Sequence, residues 1–177
     1  WTALDPARAT VDSTGLVTAV AAGTARIALS SGIAVPDTVT LTITDPLALA
    51  AVSGGLTYSC GLTTAGAPLC WGRNTDGQLG DGTTNQSNYP NPVAGSLTLT
   101  AIASGGLHAC GLTAAGAAYC WGDNGYGQLG NASNTNSLVP VAVSTGLSFT
   151  AITAGEYHTC ALTAGGAAYC WGFNGTG

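Results

Sequence analysis

Three tryptophans, Trp71, Trp121 and Trp171, stand fifty residues apart. Two sets of cysteines keep the same interval: Cys60, Cys110, Cys160 and Cys70, Cys120, Cys170. Register this strict means one structural unit copied in tandem, because a single insertion would break it. The copies run 51–100, 101–150 and 151–177, the last stopping partway. Each reads as short strands. An apolar run around Val52 or Ile102 ends at Gly55, Gly105 or Gly155, and a strand through Cys-x-Leu-Thr follows. A glycine turn, a strand through Ala-x-x-Cys-Trp-Gly and a Gln-Leu-Gly turn come next, then a polar loop ending at Pro90 or Pro140. No stretch sustains a 3.6-residue apolar period with a helix cap. Fifty residues of all-β repeat fit a propeller blade better than a solenoid coil.

The same register predicts how the cysteines pair. A three-residue hairpin loop is a type I turn followed by a residue in the left-handed region, where glycine has no Cβ to clash. Thr64-Ala65-Gly66, Ala114-Ala115-Gly116 and Ala164-Gly165-Gly166 all place glycine third. Thr63 then faces Ala67, and Cys60 lies opposite Cys70; likewise Cys110 opposes Cys120 and Cys160 opposes Cys170. Pro68, opposite Leu62, falls in the non-hydrogen-bonded class, which suits a residue without an N–H and brings facing Cα atoms closest. Three local disulfides are expected, which implies an oxidising compartment. Reduced core thiols are one alternative. Metal ligation is another, but there is no Cys-x-x-Cys spacing and each hairpin supplies only two sulfurs.

Charge limits the partners. Only 6% of the chain is charged, the net charge is -5, lysine is absent and the arginines are Arg8, Arg26 and Arg73. A phosphate backbone needs clustered cations, so no nucleic-acid partner is expected. The longest apolar runs, such as Leu47 to Val52, are too short to insert in a membrane.

No constellation of catalytic groups emerges. The acidic residues Asp5, Asp12, Asp37, Asp45, Asp76, Asp81, Asp123 and Glu156 are scattered, and repeat-equivalent positions do not keep them: Asp76 becomes Tyr126 and Asp81 becomes Asn131. They read as turn formers, not as a glycosidase pair or an EF-hand. No Gly-x-Ser-x-Gly elbow and no Gly-x-x-x-x-Gly-Lys loop occurs. His108 and His158 are read as structural, packed beside the hairpin and each bonding backbone once per blade; Tyr58 replaces histidine in the first copy. The three tryptophans are read as anchors of each blade on its neighbour in preference to a sugar-stacking face. No catalytic, cofactor-binding or metal-binding residue is therefore assigned.

The string Cys-x-Leu-Thr-x-x-Gly-x-x-x-Cys-Trp-Gly-x-Asn-x-x-Gly-Gln-Leu-Gly resembles the regulator of chromosome condensation repeat. Its structural positions here are Trp71, Gly72, Asn74, Gly77, Gln78, Leu79 and Gly80, then Trp121, Gly122, Asn124, Gly127, Gln128, Leu129 and Gly130, then Trp171, Gly172 and Asn174, with His108 and His158 where the family often has histidine. The resemblance implies a propeller of four-stranded blades, typically seven. About two and a half are present, and further repeats, roughly four, are expected downstream. Cysteine-bearing copies are similar to those of bacterial surface and secreted proteins. Residues 1–45 resemble the C-terminal half of a bacterial Ig-like domain of group 2, through Trp1-Thr2-Ala3, Ala9-Thr10-Val11-Asp12 and the stretch Gly15 to Ala25. Thr38 to Thr44 would close it as a strand with Val39, Leu41 and Ile43 on one face. Asp45-Pro46 marks the boundary and 46–50 a linker.

Together these readings imply an all-β chain: a partial Ig-like β-sandwich followed by a partial β-propeller. The expected role is a secreted or cell-surface interaction scaffold, bacterial, with an Ig-like stalk, no cofactor, and an unidentified protein or surface ligand as partner. The loops Asp81–Tyr89 and Asn131–Val139 would present the contact surface. The alternatives are an exchange-factor-like regulator of a small GTPase and an accessory region of a larger extracellular enzyme.

Overall fold

The computed structural model describes residues 1–29, 37–43 and 47–175. The Asp45-Pro46 boundary, the end of the predicted closing strand at Thr44, and Thr176 and Gly177 of the third copy lie outside the described residues. Among the described residues every regular element is a β-strand. The chain divides into two compact units, Trp1–Leu47 and Ala48–Gly177.

In the first unit, β1 (Thr2–Ala3), β4 (Gly23–Leu29) and β5 (Asp37–Ile43) form an antiparallel sheet in the order β1-β4-β5. A separate hairpin pairs β2 (Ala9–Val11) with β3 (Val17–Ala19). The Asp12 carboxylate organises its turn, accepting hydrogen bonds from the backbone N–H of Thr14 at 2.8 Å and of Leu16 at 3.0 Å. Ala9, Ala25 and Ile27 form a small core, with Ala3, Val11 and Leu41 packed against it. Val39 shares a strand face with Leu41 yet is 52% exposed, so the half-buried alternation read from the sequence holds at one position and not the other.

The second unit is a row of antiparallel meanders. The first joins β6 (Leu49–Gly54), β7 (Tyr58–Thr63), β8 (Pro68–Gly72) and β9 (Ser87–Pro92). The second joins β10 (Ala101–Ser104), β11 (His108–Leu112), β12 (Ala118–Gly122) and β13 (Ser137–Ala142). The third has β14 (Phe149–Ala154), β15 (His158–Thr163) and β16 (Ala168–Gly172). Leucine and alanine side chains between successive sheets make the core, with Leu62, Leu79 and Leu99 buried at the first junction and Leu112 and Leu129 at the second.

Two sequence readings change. β6 begins at Leu49, inside the segment read as a linker, because Leu49 packs on the bare face of Gly61: a Cβ there would lie 2.9 Å from Leu49 Cδ1. The polar loops ending at Pro90 and Pro140 close instead as outermost strands, β9 and β13. Each proline falls where the register shifts, between Cys70 and Gly72 in one sheet and Cys120 and Gly122 in the other. A bulge on an edge strand leaves residues unpaired, so a missing N–H costs nothing there.

Candidate functional site

The hairpin register follows the glycine turns. Gly66, Gly116 and Gly166 sit at φ 80°, 80° and 81°, and the N–H of each donates to the carbonyl of Thr63, Thr113 or Thr163. Cys60 therefore faces Cys70, Cys110 faces Cys120 and Cys160 faces Cys170. All three pairs are disulfides, and no free cysteine remains among the described residues. Their surroundings differ. The first two bridges are fully buried under the next sheet, whereas Cys160 is half-buried and Cys170 exposed.

The repeat-structural residues act at two places: within the long turn of each blade, and between blades. Asn74 and Asn124 are fully buried. Each accepts the N–H of the turn leucine, Leu79 at 2.9 Å and Leu129 at 3.0 Å. Their Nδ2 groups donate outward to the following loop: Asn74 to the carbonyls of Thr83 and Asn85, Asn124 to those of Ser133 and Thr135. The segments expected to present a variable contact surface are thus tied down from beneath by one asparagine per repeat. Asn174, with no such loop described beyond it, is exposed.

Between blades the tryptophan is the connector. Trp121 is fully buried and its indole N–H donates to the Gln78 carbonyl at 3.1 Å; Trp171 donates to the Gln128 carbonyl at 2.9 Å. The ring passes so close to the preceding turn that a Cβ on Gly80 would lie 2.7 Å from Trp121 Cδ1, and one on Gly130 2.7 Å from Trp171 Nε1. Gly77 and Gly127 share these turns, and Gly72, Gly122 and Gly172 end the second cysteine strands, all at positive φ. Trp71 is half-buried.

Gln78 and Gln128 show what a changed neighbour does. Both side-chain carbonyls accept a backbone N–H, of Asp76 at 2.9 Å and of Tyr126 at 2.8 Å. Gln128 Nε2 also donates to Asp123 Oδ2 at 2.7 Å. In the preceding repeat Arg73 stands where Asp123 does, and buried Gln78 Nε2 has no hydrogen-bond partner among the described residues.

The histidine reading needs correction. The His108 ring is fully buried and bonds a side chain of the next blade, not backbone: Nε2 lies 2.8 Å from Thr159 Oγ1. That hydroxyl donates to the Gln128 carbonyl at 3.0 Å, so it accepts from an Nε2–H tautomer of the neutral ring. Nδ1 has no partner among the described residues. Burial pushes the His108 pKa down to about 4, against the opposing pull of the Asp123 charge. In the first repeat, Tyr58 takes this place and its hydroxyl donates to the His108 carbonyl. The neighbour facing it in sequence register is Ala109, where the third repeat has Thr159. His158 is exposed. Neither Thr159 nor the Tyr58–His108 link was found from the sequence. The signal was available in the variation Ser59, Ala109, Thr159, one position after the aromatic.

The turns that follow the first strand of each of the three sheets meet on one face. Leu56 N–H donates to the Gly106 carbonyl at 3.2 Å and Gly106 N–H to the Glu156 carbonyl at 3.1 Å. Gly54 to Leu56, Ser104 to Gly106 and Ala154 to Glu156 line a shallow, open cavity there. Among the described residues no three His, Cys, Asp or Glu side chains gather as metal ligands, and no helix is long and apolar enough to cross a membrane.

With this geometry in view, comparisons with known proteins give a consistent result. The family model described as the regulator of chromosome condensation (RCC1) repeat matches residues 65–112 and 115–162, and a second model of the same repeat matches 99–128. The bacterial Ig-like domain (group 2) model matches residues 1–43. The comparison with curated proteins returned no match. Among solved structures, human WBSCR16 is similar with a TM-score of 0.68 at 23% identity, over 76% of this chain and 35% of that one. Yeast RCC1 (Prp20), solved with Kap60, gives 0.62 at 21% identity, over 78% and 34%. Saccharomyces cerevisiae Prp20p, described with its binding properties to Gsp1p and histones, gives 0.63 at 22% identity, over 71% and 33%. The chain thus spans about a third of the length of these proteins. At these identities the likeness establishes the propeller fold.

Proposed function

Because this chain belongs to the regulator of chromosome condensation repeat family, we propose that it serves as a protein-interaction scaffold outside the bacterial cytoplasm, with its Ig-like unit as a stalk. The observation that carries the reading is the disulfide in every repeat. Two of these bridges are buried core elements at the sheet junctions, and oxidised cysteine pairs persist in exported proteins. The match of residues 1–43 to a bacterial Ig-like domain supports the same compartment. The pattern of variation supports scaffolding over chemistry. Positions kept in every copy tie loops and blades together, while the ionisable groups change from copy to copy, as Arg73, Asp123 and Phe173 do at one equivalent position.

The test has two parts. Fractionation of the producing cell, with thiol alkylation before lysis, is expected to find the protein exported and unmodified at all six cysteines. Recovery in the cytoplasm with alkylated thiols would overturn the compartment. Capture on the chain of proteins from neighbouring cell surfaces is expected to return a specific partner, and repeated failure would count against the scaffold.

A second reading is favoured by the fold likeness to yeast RCC1: an exchange-factor-like regulator of a small GTPase. Fold alone does not carry that activity. A nucleotide-release assay with small GTPases separates the two, since a scaffold leaves the release rate unchanged.

A further inference from the structure

One surface cluster breaks the repeat. Tyr126, from the long turn of the second blade, leans over the third and packs edge-to-face on Tyr157, ring centroids 5.3 Å apart, and on Phe173 at 5.0 Å. Tyr157 and Phe173 complete the triangle at 6.3 Å. All three rings are exposed: Tyr126 by 51%, Tyr157 by 38% and Phe173 by 43%. The equivalent positions one junction earlier are Asp76, Leu107 and Asp123, which form no such cluster. Whatever the fold requires of a junction is supplied in both, so the aromatic triangle is an addition to the architecture. With the third sheet packed beside the second, Leu107 and Asp123 stay partly exposed, so the stacking of a sheet does not by itself cover these positions.

Two carboxylates flank the rings. Asp123 begins the turn that carries Tyr126, and Glu156 precedes Tyr157. A hydrogen bond between the Glu156 and Tyr157 side chains, together with the Glu156 charge, raises the Tyr157 phenol pKa, with burial, Tyr126 and Asp123 adding to it. Among the described residues neither carboxylate is in an ion pair; the single pair is Arg26 with Asp5 in the other unit. The repeat unit itself contains one cation, Arg73.

We propose that Tyr126, Tyr157 and Phe173, flanked by Asp123 and Glu156, bind an arginine side chain presented by a protein partner. The proposal rests on the scaffold reading and gives the partner its chemistry. A cation is attracted to the faces of aromatic rings and to uncompensated carboxylates together. A guanidinium suits the pair better than an ammonium, since it stacks flat on a ring while its fork of N–H donors reaches a carboxylate. A sugar needs a broad flat platform, but these ring planes cross at 64°, 66° and 74°. A phosphate-bearing ligand meets only negative charge.

The test uses the full chain and three fluorescein-labelled peptides, Gly-Ser-X-Gly-Ser, with X as arginine, lysine or citrulline, followed by anisotropy. Citrulline keeps the planar shape of arginine but is uncharged, with a urea oxygen acceptor in place of one terminal NH2 donor group. The arginine peptide is expected to bind about tenfold tighter than the citrulline peptide, the effect of ~1.4 kcal/mol, and tighter than the lysine peptide. Tyr126→Ala is expected to weaken it about threefold or more, as loss of one cation–π contact does, with Glu156→Gln weakening it and flattening its salt dependence. Tyr126 is half exposed, so the variant keeps its fold, checked by circular dichroism and intact disulfides. Equal binding of the arginine and citrulline peptides overturns the site, as does unchanged binding by Tyr126→Ala. A protein partner captured equally by the parent and Tyr126→Ala also overturns it, while leaving the scaffold reading in place.

Discussion

His108 is a neutral base kept out of water, and this gives the repeat unit an acid-sensitive joint. Its pKa in the fold is about 4, below the free value of 6.5, because burial disfavours the charged ring. The unfolded chain therefore takes up the proton first as pH falls. The contribution of His108 to stability is complete above pH 6.5, declines between 6.5 and 4, and is spent below 4. By linkage the loss amounts to ~3 kcal/mol. Urea unfolding followed by tryptophan fluorescence is expected to show this slope, and His108→Gln is expected to flatten it. The Asp5 and Asp12 carboxyls, held low by Arg26 and by Thr14 with backbone N–H groups, titrate below this window. Gln78 yields a prediction of opposite sign. Arg73→Asp copies the second repeat and gives the buried Nε2 an acceptor, at the cost of the exposed contact from Arg73 Nε to Thr75 Oγ1. A net gain of about 1 kcal/mol in unfolding free energy is expected, the usual worth of satisfying one buried donor.

At the scale of the element, the hairpin was fully legible because everything that fixes it is local. A glycine at the third loop position determines the turn, the turn determines the register, and the register places Cys60 opposite Cys70. The outermost strands were not legible. Pro90 and Pro140 read as loop endings, and only the bulge beside Trp71 or Trp121 explains how a strand accommodates them. Packing between blades was legible where it repeats, as with the tryptophans. It was hidden where partners at an offset of about fifty residues change together, as Tyr58 and His108 do with Ala109 and Thr159. The bridges carry the element-scale prediction. Replacing Cys110 and Cys120 together by alanine is expected to cost about 2–3 kcal/mol from loop entropy alone, measured by urea unfolding.

For the whole molecule, the -5 net charge and the absence of lysine set the terms of any encounter. Binding to duplex DNA is driven by release of counterions from phosphates that cationic side chains neutralise. An electrophoretic shift assay at low salt is expected to show no retardation of duplex DNA, and a salt-dependent shift would reverse that expectation. The all-β class could be read from composition and periodicity, and the repeat family and the Ig-like start from the resemblance of contiguous motifs, since all of these signals lie along the chain itself. The aromatic triangle could not, since Tyr126, Tyr157 and Phe173 meet only once the second turn folds over the third blade.

The two blade junctions also bear on how such a gene can change. Tandem copies at one period invite unequal crossing-over, which would delete or duplicate whole repeats without disturbing the reading frame. The junctions are not interchangeable, however. Deleting the second repeat would set Tyr58, which now has Ala109 across from it, against Thr159, and would leave that hydroxyl without the imidazole it serves. Copies that look alike in their cysteines and tryptophans therefore carry their order in the residues beside them, and recombination that ignores this order yields a chain with mismatched seams.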